Sequence, residues 1–166
     1  MKFKLRPWRE SDAADLARFA NNPKIANNLT NQFPHPYKME DAQRFIKMAT
    51  SHSPIQVFAI DIDGIASGGI GIHSQSDVYL KNMELGYWLA EPFWGNGIIT
   101  EAIQQIVKYG FETFDITRIF ARPYGYNIAS QKALEKAGFT LEARFVDTFF
   151  KNGKFEDEWV YAVRKH

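Results

Sequence analysis

Residues 84–111, ELGYWLAEPFWGNGIITEAIQQIVKYGF, pass from an apolar strand through a glycine turn into an amphipathic helix. Leu85, Tyr87 and Leu89 alternate with Glu84, Gly86 and Trp88, the period of two that suits a strand, and Pro92 then ends any ladder by removing a donor. The chain turns at Trp94-Gly95-Asn96-Gly97. Beyond it Ile99, Ala102, Ile103, Ile106, Val107 and Phe111 recur at spacings of three and four, while Glu101, Gln104, Gln105 and Lys108 fall on the opposite face. This predicts a helix from about Ile98. Glycines beside a helix start let the backbone come close to a ligand, and the unbonded N–H groups there attract phosphate through hydrogen bonds and the macrodipole. A phosphate-bearing cofactor is the reading this stretch supports.

The 166 residues suit one domain spanning 1–166, long enough to bury roughly 70% of the unfolded surface without disulfides or metal. Hydrophobic residues make up 45% and charged residues 23%, an ordinary globular balance, with fourteen Phe and four Trp available to core, pocket and interface. A formal charge of +1 supplies no long-range field for nucleic acid or an anionic membrane, so neither is expected as a partner. The absence of cysteine excludes a thiol nucleophile, an acyl-cysteine intermediate and every Cys-containing zinc site, and no metal is expected. With neither a signal-peptide pattern nor an apolar run near twenty residues, a cytoplasmic location is expected.

Outward from the opening stretch, Phe3 to Arg6 alternates as a strand, and Ser11-Asp12 before Leu16, Phe19 and Ala20 reads as a capped helix ending around Asn21-Asn22-Pro23. Asn27 to Tyr37 reads as a long exposed loop, and Met39, Ala42, Phe45, Ile46 and Ala49 mark a second helix. Asp63-Gly64 joins the alternating run Ile55–Ile62 to the glycine-rich run Ile65–His73 as a hairpin. Arg118–Tyr124 reads as a strand and Ile128–Ala137 as a helix stopped at Gly138. Asn152-Gly153 between Leu141–Phe150 and Phe155–Val163 is the strongest short hairpin signal in the chain. The sum is an α+β (mixed α/β) fold with a mixed sheet of about seven strands and about four helices.

This order, with its glycine turn after the fourth strand and Asn127 before the last helix, resembles the GNAT N-acetyltransferase superfamily across nearly the whole chain. The superfamily motif is Gln or Arg, two residues, Gly, one residue, then Gly or Ala; Trp94-Gly95-Asn96-Gly97-Ile98-Ile99 occupies those places, and only Gly97 matches strictly. The strings LRPWRESDA, ELGYWL, WGNGIITEAI and NIASQKALEKAGF are similar to the Rim-type branch, which acetylates N-termini of ribosomal proteins among other amines. The resemblance implies a splayed sheet and acetyl-CoA as cosubstrate, its pyrophosphate wrapped by Trp94, Gly95, Asn96, Gly97, Ile98, Ile99 and Thr100. It also implies that Trp88 and Leu89 flank the pantetheine arm, that the Leu89 N–H holds the thioester oxygen, and that Asn127 binds a pantetheine amide while capping its helix.

Acyl transfer needs a neutral amine, and Glu84, ten residues before Trp94, matches the superfamily's glutamate base. Its alternative is an ion-paired strand glutamate, and His73 is a second candidate base. The superfamily tyrosine that protonates the leaving thiolate is replaced by Leu134, which leaves Ser130 as the matching donor, with Tyr124 and Tyr126 as alternatives. By the same resemblance the acceptor lies between Asn27–Tyr37 and the Asn152-Gly153 hairpin, where Phe33, Tyr37, Phe149 and Phe150 would line a mouth and Glu156, Asp157 and Glu158 would attract a cationic amine. The expected activity is direct transfer to a primary amine, a protein N-terminus in the first reading. A polyamine, aminoglycoside or amino acid, or a non-catalytic acyl-CoA sensor, are the alternatives. The expected state is a monomer or homodimer.

Overall fold

A computed structural model describes residues 1–166. Seven strands, β1 (Lys4–Pro7), β2 (Val57–Ile62), β3 (Ile65–Ser74), β4 (Asn82–Leu89), β5 (Arg118–Ala121), β6 (Thr140–Lys151) and β7 (Lys154–Arg164), form one sheet in the order β1-β2-β3-β4-β5-β7-β6. Every pairing is antiparallel except β4 with β5. The two hairpin signals land on residues in the left-handed region, Asp63 and Gly64 (φ 52° and 84°) and Asn152 and Gly153 (φ 53° and 78°), the backbone that two-residue hairpins require.

Five helices cover the sheet: α1 (Ala13–Ala20), α2 (Pro23–Ala26), α3 (Met39–Ala49), α4 (Ile98–Thr113) and α5 (Ile128–Lys136). The additional one is α2. Its single turn, with Pro23 at the start and Asn22 accepting the Lys24 N–H, is too short to show a period. It buries Ile25 and Ala26, and Tyr37 is buried as well, so the Asn27–Tyr37 segment is held against the body rather than fully exposed. Arg118–Tyr124 is also shorter as a strand than its pattern, because only a single bridge, Tyr124 to Glu158, continues it past Ala121.

The period-two alternation sorts the strands onto two cores. Ile60, Ile70, Ile72, Met83, Leu85, Leu89 and Ile119 meet α4 and α5, while Val57, Ala59, Ala66 and Trp88 meet α1, α2 and α3. Within α4 the buried stripe is Ile98, Ala102, Ile103, Ile106 and Gly110; Ile99 sits at its flank, packed on the core and open to the cleft described below. Leu134 is fully buried in the same core.

Asp12 does not cap α1, as its sequence position suggested. Its carboxylate accepts the Arg9 N–H (2.8 Å) and both terminal nitrogens of Arg6 (2.9 Å each), while Arg6 Nε bonds Asp61 at 2.5 Å. All three side chains are buried, and they tie β1 and β2 to the turn that enters α1. Burial alone would raise the two carboxyls, but hydrogen bonds from Arg6 and from the Arg9 and Gly64 N–H groups, together with the attraction of the nearby cations, outweigh it and hold both below the ordinary aspartate value.

Candidate active site

β4 and β5 pair over only three positions, Asn82–Arg118, Met83–Ile119 and Glu84–Phe120. Beyond them β5 ends at Ala121 and turns away, while β4 continues to Leu89, leaving a cleft of about 530 Å³ between the strands. The edge that β4 presents is decided by its other neighbour. Ala90 N–H bonds Ser67 O at 2.8 Å, and antiparallel alternation therefore turns the main-chain groups of Trp88 toward β3 and those of Tyr87 and Leu89 into the cleft. The Leu89 carbonyl accepts Trp94 Nε1 at 2.7 Å, which pins the half-exposed indole as an end wall and leaves the Leu89 N–H on the open edge.

At that end the chain enters α4 through Gly95 and Gly97, at φ 79° and 74°, a backbone that any side chain would strain. No side chain caps α4, and its first internal bond is from Glu101 N–H to Gly97 O. The N–H groups of Ile98, Ile99 and Thr100 thus stay unbonded within the helix beside the cleft. On the far lip Asn127 caps α5, its Oδ1 accepting the Ser130 N–H at 3.3 Å.

The cleft brings together Ser130, Trp88, Leu89, Trp94, Gly95, Gly97, Ile98, Ile99, Thr100 and Asn127. Two expected residues do not line it. Asn96 turns its amide back onto the carbonyls of Phe93 and Trp94, so its side chain shapes the turn. Glu84 sits at the last paired position, half-buried, with both oxygens held by Arg122, Nε to Oε2 at 3.1 Å and Nη2 to Oε1 at 3.0 Å. Trp88 reaches the cleft, but its ring lies on the α1 and α3 side, 7% exposed beneath Phe33 at 5.9 Å.

Two residues without a role in the sequence reading join the site. Tyr87 shares the parity of Leu85 and Leu89, and its hydroxyl meets Ser130 Oγ at 2.5 Å; burial pushes its phenol up to about 12. Its presence in an otherwise aliphatic row was the available signal. Arg122 is the other, and its hydrogen bonds to Glu84 raise its already high value further. Glu158 lies within reach of both charges. Burial raises its carboxyl, with Arg122 opposing and Glu84 reinforcing that shift. His73 is exposed and directly cross-strand from Glu84.

Tyr124 is buried in a stack with Phe149 at 4.0 Å, and Tyr126 donates to the Asn27 carbonyl; the hydroxyl that bonds Ser130 is that of Tyr87. No group of three or more His, Asp or Glu is placed to hold a metal ion, and no helix is long and apolar enough to cross a membrane.

Residues 2–140 match the family described as the acetyltransferase (GNAT) domain. The chain belongs to the GNAT acetyltransferase family. Among GNAT relatives it is 34% identical over 98 residues to the uncharacterized N-acetyltransferase YoaA of Bacillus subtilis, covering 59% of this chain and 55% of that one. It is 30% identical over 82 residues to the ribosomal-protein-serine acetyltransferase of Escherichia coli K12, covering 49% and 46%. The chain thus spans about half the length of these curated relatives. The fold is that of RimL, a ribosomal L7/L12 α-N-protein acetyltransferase solved with coenzyme A, at a TM-score of 0.86 and 21% identity over 99% of this chain and 94% of that one.

Proposed function

We propose that this GNAT protein transfers the acetyl group of acetyl-CoA to a primary amine while both are bound, and that the amine is the N-terminal α-amine of a protein. The observation that carries the proposal is the opening of the sheet past Glu84 and Phe120. It is lined on one lip by the inward main chain of Tyr87 and Leu89, closed by the uncapped start of α4, and faced from α5 by Ser130. Acetyl-CoA supplies an activated acyl group. The residues fit it: unbonded N–H groups of Ile98, Ile99 and Thr100 would hold the pyrophosphate, and the edge of β4 with the Asn127 amide would hold the pantetheine arm. The Leu89 N–H is the donor for negative charge developing on the acyl oxygen.

Without cysteine, attack is direct: the amine nitrogen bonds the acyl carbon as the carbon–sulfur bond breaks. An α-amine, with a pKa of about 8, is mostly protonated at neutral pH but gives up its proton far more readily than a lysine side chain near about 10.4. Glu84 is the proposed base. Because Arg122 occupies both its oxygens it acts through water, and the neighbouring Glu158, whose proton affinity burial raises, shares the task. Ser130 donates from Oγ to the departing sulfur. Tyr87, by donating to the same Oγ, leaves the serine hydrogen free for that bond, and the sulfur departs as thiolate with no proton taken from the serine.

The test is a thermal shift with CoA, NADH and ATP, followed by thiol release from acetyl-CoA with free and N-blocked peptides. CoA alone should raise Tm, and only free N-termini should release thiol. A preference for NADH or ATP, or no release above background with any amine, overturns the proposal.

A further inference from the structure

Four charged side chains are buried in this protein, and three of them, Arg6, Asp12 and Asp61, are joined in ion pairs. The fourth is Lys151, 9% exposed at the end of β6. Its ammonium has three N–H donors and makes one hydrogen bond, to the neutral Asn31 Oδ1 at 3.1 Å, with no carboxylate in ion-pair range. Burial accordingly lowers its proton affinity, and nothing opposes that shift. A buried cation left unpaired is costly unless something completes its coordination.

Beside it is a polar pocket of about 290 Å³, lined by Asn27, Tyr126, Lys151, Asn152, Lys154 and Glu156. Its walls are fixed. Asn152 Nδ2 bonds Asn27 Oδ1 at 3.2 Å, Tyr126 donates to the Asn27 carbonyl, and the Asn152-Gly153 turn sets Lys154 cross-strand from Lys151. Neither lysine is paired with Glu156, whose charge acts instead on Tyr126. Two cations and one carboxylate leave a single net positive charge, which suits a monoanion better than a phosphate dianion. The pocket also adjoins the cleft along the chain, since Asn28 and Leu29 line the cleft directly after Asn27, as Asn127 does directly after Tyr126.

We propose that this pocket binds a carboxylate of the acceptor, so that the substrate is a peptide with an acidic residue close behind its free N-terminus. The proposal rests on the acetyl-transfer reading above. The cleft takes the amine and Lys151, seconded by Lys154, takes the acid. A polycation such as a polyamine meets a buried ammonium there instead, and is disfavoured. A free amino acid offers the same carboxylate from a different source, its own α-carboxyl group.

Peptides carrying Glu at position two, three, four or five, each paired with its Gln twin, separate these cases, alongside free amino acids and spermidine. In the unaltered protein one Glu peptide should show a KM about tenfold to a hundredfold below its Gln twin, the range expected of charge-assisted hydrogen bonds. Lys151→Met should bring that ratio close to one and Lys151→Arg should keep most of it. Because the Met variant removes an unpaired buried charge, its Tm should not fall. Calorimetric binding of the same peptides reads the pocket even where no acetyl transfer occurs, which separates failure here from failure of the acetyl-transfer reading. Equal binding of Glu and Gln twins, a ratio untouched by Lys151→Met, or a preference for free amino acids or spermidine overturns the proposal.

Discussion

Replacing Arg6 by methionine would leave Asp12 and Asp61 buried without the guanidinium that both contact. Methionine fills much of the same volume, so the loss is electrostatic rather than a cavity. Removing one partner of a buried ion pair costs about 3–5 kcal/mol, because the remaining charge is stranded. For a domain of this size each kcal/mol moves Tm by about 2–4 °C, which gives a fall of about 6–20 °C by calorimetry. The pH dependence has a definite sign. In the unaltered protein both carboxyls lie below their unfolded value of about 3.9, so their contribution is full above that value and is lost as pH falls through the folded ones. In the variant, burial without Arg6 raises the carboxyls, and folding then favours protonation. The stability gap should therefore be widest near neutrality and narrow below about pH 4. Adding Asp12→Leu and Asp61→Asn should recover most of the loss. A Tm change under about 3 °C, or a gap that widens in acid, would refute the reasoning.

Gly97→Ala puts a side chain at φ 74°, which should cost about 1–2 kcal/mol and weaken CoA binding in a titration; an unchanged Tm and Kd would show that the turn tolerates alanine. Tyr87→Phe should lower kcat about tenfold with little change in the KM for acetyl-CoA. Ser130→Ala added to it should cost little more, since the two hydroxyls act as one unit; additive losses in stopped-assay kcat would separate them.

Local chemistry made most of the fold readable. Asp63-Gly64 and Asn152-Gly153 carry their backbone preference in two residues, and the stripe of α4 repeats over four turns. The errors fall where side-chain partners override a local preference or where an element is too short to show one. Asp12 has the composition of a helix cap, but Arg6 and Arg9 claim it before α1 begins. α2 is shorter than any period. Within the site, the WGNG turn and Asn127 are legible because backbone conformation and capping are local properties, whereas the Glu84–Arg122 pair joins residues 38 apart and the Tyr87–Ser130 pair residues 43 apart. Alternation told which face Trp88 takes, but not that Phe33 would cover it.

The three-pair ladder between β4 and β5 also makes the sheet mechanically two blades, β1–β4 and β5–β7. An occupant bonded to Tyr87 and Leu89 on one blade and to Asn127 beside the other would act as a strut across the gap. Spreading of the blades and escape of the occupant then become one motion, and amide protection along β5 and β7 would report how long the strut stays in place.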